Sequence, residues 1–456
     1  MKLLNSMHCL FGSAKYKIGN LSKIAVNADS YNILEDPKVF RERLLANIRN
    51  AKSRICICAL YWQNDEMGQE VMQAVNEAVA ANPKLYVRIY VDFHRAQRGL
   101  VGKTKQIVNS DWYRELAKKQ LIHPIIYGVP VKRREIFGVF HLKGFIIDDT
   151  VLYSGASINN VYLHRLDKYR IDRYHEINSR ELADSLFYYC ADVFHRHNAV
   201  QDFAQDTIPT SKELNLEIKK QRRELCRTNY KISDAEINSR QVGITPLVGL
   251  GKKNNILNST IINLIEAAEE EITICTPYFN FPGHVLKAVN KALSKGVTIT
   301  IIVGDKEAND FFIHDGEPYN KVGAVPYIYE MNLRDFVNSH TKQINEGILK
   351  IRLWKDGLNT YHVKGISVDH RYHLITGNNL NPRAWGLDLE NGLLVDDEHH
   401  LLLEKITHER NYLLSRTTPI TSPSELQTID DYPEDYRKVI LKVRKLGAQW
   451  LLRKLL

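Results

Sequence analysis

Residues 40–93 read FRERLLANIRNAKSRICICALYWQNDEMGQEVMQAVNEAVAANPKLYVRIYVDF, and the order of patterns in this stretch decides the fold. FRERLLANIRNAKS has apolar residues at helical spacing. RICICALYW is a short apolar run that reads as a strand, GQEVMQAVNEAVAANP as a second helix and LYVRIYVDF as a second strand. The same order returns at residues 261–305, IINLIEAAEEEITICTPYFNFPGHVLKAVNKALSKGVTITIIVGD. Single residues return with it. Ala74-Val75-Asn76 matches Ala288-Val289-Asn290, Cys58 matches Cys275, Tyr61 matches Tyr278 and Asp92 matches Asp305. A period of about half the chain is far longer than the ~20–50 residues of solenoid repeats, so it marks a duplicated domain.

Strands alternating with helices of this length predict an α/β fold. The expectation is two similar domains, each a mixed, mostly parallel sheet flanked by helices. Boundaries fall at 1–198 for the first domain, 199–242 for a basic connecting segment, 243–416 for the second domain, and 417–456 for a linker and a basic terminal helix. The connecting segment contains KKQRRELCRTNYK, which reads as a solvated helix or an anion-facing surface. The 456 residues exceed the usual span of one core. With 44% apolar and 25% charged residues, the composition excludes wholesale disorder, collagen and coiled coil. No apolar run approaches the ~20 residues needed to span a bilayer. The start, MKLLNSMHCLFGSAK, is too broken for a secretory signal.

Six sparse cysteines with no C-x-x-C spacing argue against a disulfide framework and fit a reducing cytoplasm. Cys56 and Cys58 read as core, with a C-x-C metal pair as the alternative. The net charge of +9 favours an anionic partner: nucleic acid, an anionic lipid surface or a phosphorylated substrate.

The chemistry sits in a motif that each half carries once. HLKGFIID supplies His141, Lys143 and Asp148; HVKGISVD supplies His362, Lys364 and Asp369. One H-x-K-x-x-x-x-D match would be weak, but two in register with the repeat are strong. Strand alternation puts His and Lys on one side. An imidazole can attack phosphorus or move a proton, and a lysine two residues on can neutralise phosphate oxygens. Each aspartate completes its motif but lies seven residues past its histidine, where a structural role fits better than chemistry. Downstream, GASINN brings Gly155, Ser157 and Asn159, and GNNLNPR brings Gly377, Asn379 and Asn381. Glu176 and Glu390 follow as carboxylates able to orient an imidazole.

This constellation resembles the phospholipase D superfamily. The chain departs from the common pattern, in which Gly is followed directly by Ser; here Ala156 and Asn378 occupy that place. VDFHRAQRG, TPLVGLGK, TPYFN and LITGNNLNPRAWGLDLEN narrow the resemblance to the bacterial phosphatidylserine synthases of the phospholipase D type. The resemblance implies two domains packed as a pseudo-dimer, with one histidine from each meeting at a shared site. It implies transfer of a phosphatidyl group from CDP-diacylglycerol to L-serine through a phosphatidyl-histidine, with His141 as nucleophile and His362 as general acid/base. Lys143, Lys364, Asn159 and Asn381 would hold the phosphate oxygens, and no cofactor or metal is expected. Cardiolipin synthase, phospholipid hydrolase and phospholipase D-type nuclease are the alternatives.

Arg95 and Arg98 are candidates for the CDP phosphates. Gly249–Lys252 lacks the full phosphate-binding loop, so ATP binding is not expected. The tail carries Arg437, Lys438, Lys442, Arg444, Lys445, Trp450, Arg453 and Lys454 on an amphipathic pattern. It reads as a membrane-surface segment or a helix docked on the protein's own core. A lipid substrate favours the first: a cytoplasmic enzyme held peripherally at the anionic inner face of the cell membrane. Contact with ribosomes or nucleic acid and the oligomeric state stay open.

Overall fold

The structure, a computed structural model, describes residues 13–98, 108–119 and 125–445. Each half builds its parallel core as the sequence pattern predicts. In the first, Asp36 caps helix Pro37–Arg49 and Asp65 caps helix Glu66–Ala81, each accepting from backbone N–H groups of the first turn. These helices alternate with strands Arg54–Cys58, Tyr86–Asp92 and Ile125–Val129, which pair in parallel. In the second, Asn255 caps helix Ile256–Ala267. Strands Glu271–Thr276, Thr298–Gly304 and Leu349–Trp354 are the parallel set, with helix Gly283–Ser294 crossing between the first two.

Both sheets are mixed, but parallel pairing stops at those three strands. In the first sheet five of seven neighbouring pairs are antiparallel, and in the second six of eight. The expectation of mostly parallel sheets is therefore corrected. The reason is local. After each His–Lys pair the chain turns back through a hairpin, Gly144–Ile147 to Thr150–Tyr153 and Gly365–Val368 to Tyr372–Thr376, and short hairpins force antiparallel ladders.

The halves exchange material. Strand Ile24–Asn27 leaves the first half and pairs with 241–244 in the second sheet. Strand Thr417–Ile420, expected as linker, forms the other edge of that sheet against Leu353 and its neighbours. An edge tolerates Pro419, which lacks an N–H. The basic connecting segment forms helix Asn215–Leu225, which buries Ile218, Gln221 and Leu225.

The parallel strands are buried on both faces. Ile55 and Ile57 join the core under the first-half helices, while Cys56 and Cys58 join a second core. That second core mixes Leu142, Ile146 and Leu186 of the first half with Val248, Leu389 and Leu393 of the second. Cys56, Cys58 and Cys190 gather there, their sulfurs within 4.8 Å of one another. They share this core with Leu142 and Ile146, the residues that alternate with His141 and Lys143.

The described part of the tail is helix Glu434–Lys445. Tyr436 and Ile440 bury against Tyr327, Met331 and Tyr432, while Lys438, Lys442, Arg444 and Lys445 face solvent. The apolar face of this part is thus docked on the protein itself and corrects the expectation that it faces a membrane. The reason is that Tyr327, on helix Val325–Ser339, supplies an aromatic partner to Tyr436, with ring centroids 5.3 Å apart. Trp450, Arg453 and Lys454 lie outside the described residues.

Candidate active site

Two short parallel contacts join the halves and build the site. Strand Thr360–Tyr361 runs beside Arg170–Ile171, and Phe140 bridges Leu389. The backbone continues both contacts into the motifs: His362 N donates to Ile171 O at 2.9 Å, and His141 N donates to Leu389 O at 3.0 Å. Each histidine therefore lies alongside a strand of the opposite half, one residue from an acid.

Those acids complete two crossed pairs. His141 Nδ1 hydrogen-bonds Glu390 at 3.0 and 2.9 Å. His362 Nδ1 hydrogen-bonds Asp172 Oδ2 at 2.8 Å. All four side chains are buried. Gly155 and Gly377 lie against these acids. A Cβ at 155 would come 2.5 Å from Asp172 Oδ2, and one at 377 would come 2.9 Å from Lys143 Cγ and 3.6 Å from Glu390 Oε2. The glycine of each motif is thus the floor on which the site's charged groups rest.

The two pairs differ in charge. Burial first, then Asp388, raises Glu390 well above the usual carboxylate range. Burial, Lys143 and Lys364 push His141 well below the usual imidazole range. Burial thus works against charge on both members of the His141–Glu390 pair. Around Asp172, burial works toward protonation, but Lys364 and His362 overcome it and hold the carboxyl at about 2. Lys364 Nζ donates to Asp172 Oδ2 at 3.1 Å and crowds the same ring nitrogen of His362. Burial and that ammonium lower His362 to about 4.

Lys143 is placed otherwise. Its Nζ donates to Ser157 Oγ at 3.3 Å, and burial with Lys364 nearby brings it to about 7. Asn391 clamps the Lys143 backbone from the other half, accepting from its N and donating to its O, both at 2.9 Å.

The remaining predicted residues divide. Asn159 Oδ1 accepts from Tyr162 N, and Asn381 Oδ1 accepts from Ala384 N, each three residues on, so both fix the turn after their glycine. Asn379 holds Thr276 Oγ1 through its carbonyl, and its buried Oδ1 lacks a hydrogen-bond partner. Asp148 and Asp369 lie away from the histidines. Asp148 accepts from the N–H groups of Lys52, Ser53 and Arg54, and Asp369 from those of Glu269, Glu270 and Glu271. Both tie down the turn before a central strand, so their grouping with the catalytic residues is corrected to a structural role.

Glu176 points away from the imidazoles, toward Asn47 at 3.2 Å and Arg43 at 3.5 Å; Asp172 holds the place expected of it. Arg98 is taken by Glu135, and Arg95 lies over the Tyr61 ring with its guanidinium 5.0 Å from the centroid.

The sequence reading missed Asp172, Tyr162, Tyr278 and Asn391. Tyr162 OH lies 3.2 Å from His362 Nδ1, and Tyr278 stands edge-on to the same ring at 6.4 Å between centroids. Tyr278 had already surfaced as a repeat partner of Tyr61, which was the available signal.

A family model described as "Cardiolipin synthase, PLD-like domain" matches residues 261–412. The CDP-diacylglycerol–serine O-phosphatidyltransferase of Haemophilus influenzae is 42% identical, over 97% of this chain and 98% of its own length. That of Escherichia coli is 44% identical, over 96% and 97%. The crystal structure of the phosphatidylserine synthase of Haemophilus influenzae superposes with a TM-score of 0.94, covering 97% of this chain and 99% of that one. A CDP-diacylglycerol–glycerol-3-phosphate 3-phosphatidyltransferase of Saccharomyces cerevisiae is 23% identical over 94% of this chain and 88% of its own.

Proposed function

The chain belongs to the bacterial CDP-diacylglycerol–serine O-phosphatidyltransferases of the phospholipase D type, and from that premise we propose how its crossed histidines make phosphatidylserine. The reaction transfers the phosphatidyl group of CDP-diacylglycerol to L-serine and releases CMP.

The observation that carries this reading is the pair of buried imidazole–carboxylate contacts made across the halves. Each acid holds Nδ1 and leaves Nε2 for chemistry. A nucleophilic imidazole must be neutral, and burial with the Lys143 and Lys364 ammoniums favours that form of His141. His141 Nε2 attacks the phosphorus nearer the lipid. A P–N bond forms, the P–O bond to CMP breaks, and His362 gives a proton to the departing phosphate. His362 then takes the proton of the serine hydroxyl, whose oxygen attacks the same phosphorus and breaks the P–N bond. His362 suits proton transfer because anionic Asp172 favours its imidazolium once the substrate phosphate draws Lys364 away. Lys143 and Lys364 neutralise the non-bridging oxygens, a role that metal ions fill in other phosphotransferases. Ser157 and Asn379 stand at the same place in the two halves as neutral groups beside the phosphate.

No helix among the described residues is long and apolar enough to cross a membrane. The enzyme meets its lipid at the anionic inner face, and the solvent-facing cations of helix Glu434–Lys445 add attraction of about 1 kcal/mol per charge near such a surface.

The test is CMP release from CDP-diacylglycerol in mixed micelles containing EDTA, with and without L-serine. Serine-dependent release with phosphatidylserine formed is expected. Release that ignores serine would overturn the acceptor and point to a hydrolase. Release that EDTA abolishes would overturn the metal-free chemistry.

A further inference from the structure

The loop that delivers His141 to the cleft has an unusual outer end. Residues 132–137 read KRREIF. Ile136 is 49% exposed and Phe137 48% exposed, and no other two exposed large hydrophobics among the described residues are neighbours in sequence. Arg133 and Arg134 are exposed beside them and make no ion pair among the described residues. The one acid of the loop, Glu135, is neutralised by Arg98, so the tip is apolar and net cationic.

The tip is also held rigid. Glu135–Phe137 form a 3₁₀ turn. Arg383 of the second half donates to Glu135 O at 2.9 Å and Ile136 O at 3.3 Å. Two large apolar side chains displayed on a pinned turn are not explained by the fold, which gains nothing from exposing them. His141 lies five positions after Ile136, at most about 18 Å of extended chain.

We propose that the 132–137 tip enters an anionic phospholipid bilayer, with Ile136 and Phe137 among the acyl chains and Arg133 and Arg134 at the headgroup phosphates. The order of the residues matches that division: cations for the headgroup level, apolar side chains for the layer beneath. The inference rests on the reading that the substrate is a membrane lipid, and it supplies an apolar contact that helix Glu434–Lys445 does not, since Tyr436 and Ile440 of that helix are buried against the protein. It sets the loop that leads to His141 at the surface where the substrate's scissile phosphate lies.

The test uses the full chain and vesicles of phosphatidylglycerol with phosphatidylcholine, against phosphatidylcholine alone. Ile136→Ser with Phe137→Ser should weaken sedimentation with anionic vesicles roughly tenfold or more. CMP release in detergent micelles, where the lipid is presented without a bilayer, should stay unchanged. Arg133→Glu with Arg134→Glu should remove the preference for anionic vesicles. The Phe137→Trp variant should shift its emission to the blue on adding them. Unchanged partitioning in both double variants, or no emission shift, would overturn the proposal. Loss of self-association with vesicle binding intact would overturn it in favour of an interface between copies. A wild-type chain that binds vesicles through the tip yet releases no CMP would sink the catalytic reading and leave the surface standing.

Discussion

The two imidazole–carboxylate pairs occupy equivalent places in a duplicated chain, yet their acids are pushed in opposite directions, Glu390 up and Asp172 down. Two differences in the surroundings account for this. Glu390 has a second buried acid, Asp388, close by, and like charges in a dry site raise a carboxyl. Asp172 has Lys364 in hydrogen-bond contact, whereas the matching Lys143 reaches Ser157 instead. Duplication supplied two copies of one device, and small changes in the neighbours set the two acids apart, the difference on which the proposed division into nucleophile and proton carrier rests.

The largest test of that difference compares neutralising the acids. Asp172→Asn removes an anion that pairs with a buried lysine, leaves Lys364 uncompensated and frees the tautomer of His362. Turnover should fall on the order of 10³-fold. Glu390→Gln puts a near-isostere in place of a carboxyl that burial pushes well above the usual carboxylate range, and the loss should be about tenfold. Equal losses, measured as kcat for serine-dependent CMP release, would erase the distinction.

A smaller effect sharpens it through pH. Burial and the nearby Lys364 bring Lys143 to about 7, and only its cationic form attracts phosphate. The kcat/KM profile should therefore decline as pH rises through that region. On the acid side activity should persist well below the ordinary histidine range, because His141 is held there. Lys143→Arg lowers the rate, since guanidinium and ammonium differ in shape, but should shift the alkaline decline upward. A decline at the same pH in that variant assigns it to another group.

The smallest effect falls on stability. Asp148→Asn and Asp369→Asn should each cost about 1–2 kcal/mol, a fall of a few degrees in Tm, and leave kcat unchanged. For Asp148, burial acts to raise the carboxyl, but Ser53 and three backbone N–H groups hold it below its usual value. Its contribution is present above the unfolded-state value and disappears as the pH falls through the folded one. A collapse of kcat in a well-folded Asp148→Asn protein would place that residue in the chemistry after all.

The repeat and both His–Lys pairs were legible because they are local. Helical spacing, strand alternation and a two-residue step need no knowledge of the partner strand. Glu390 was legible from its apolar flank, but Asp172 was not. From Gly377 to Glu390 is 13 residues and from Gly155 to Asp172 is 17, so spacing along the chain does not mark Asp172 as the counterpart, and the acid of RYHEIN, Glu176, was taken instead. The equivalence shows only where each carboxylate lies over its glycine. The Arg98–Glu135 pair was illegible for a like reason, since the two residues are 37 positions apart and nothing local announces them. The tail's apolar stripe gave no sign of its partner, because a stripe reports that a face is covered and not by what.

The crossing of the acids has a consequence for the life of the molecule before it is finished. Neither half contains a histidine together with the acid that orients it. A nascent or half-docked chain holds imidazoles of undefined tautomer and, in the second half, a lysine without its counter-ion. On the proposed mechanism such a chain would lack both oriented imidazoles, so activity would require the two halves to be docked.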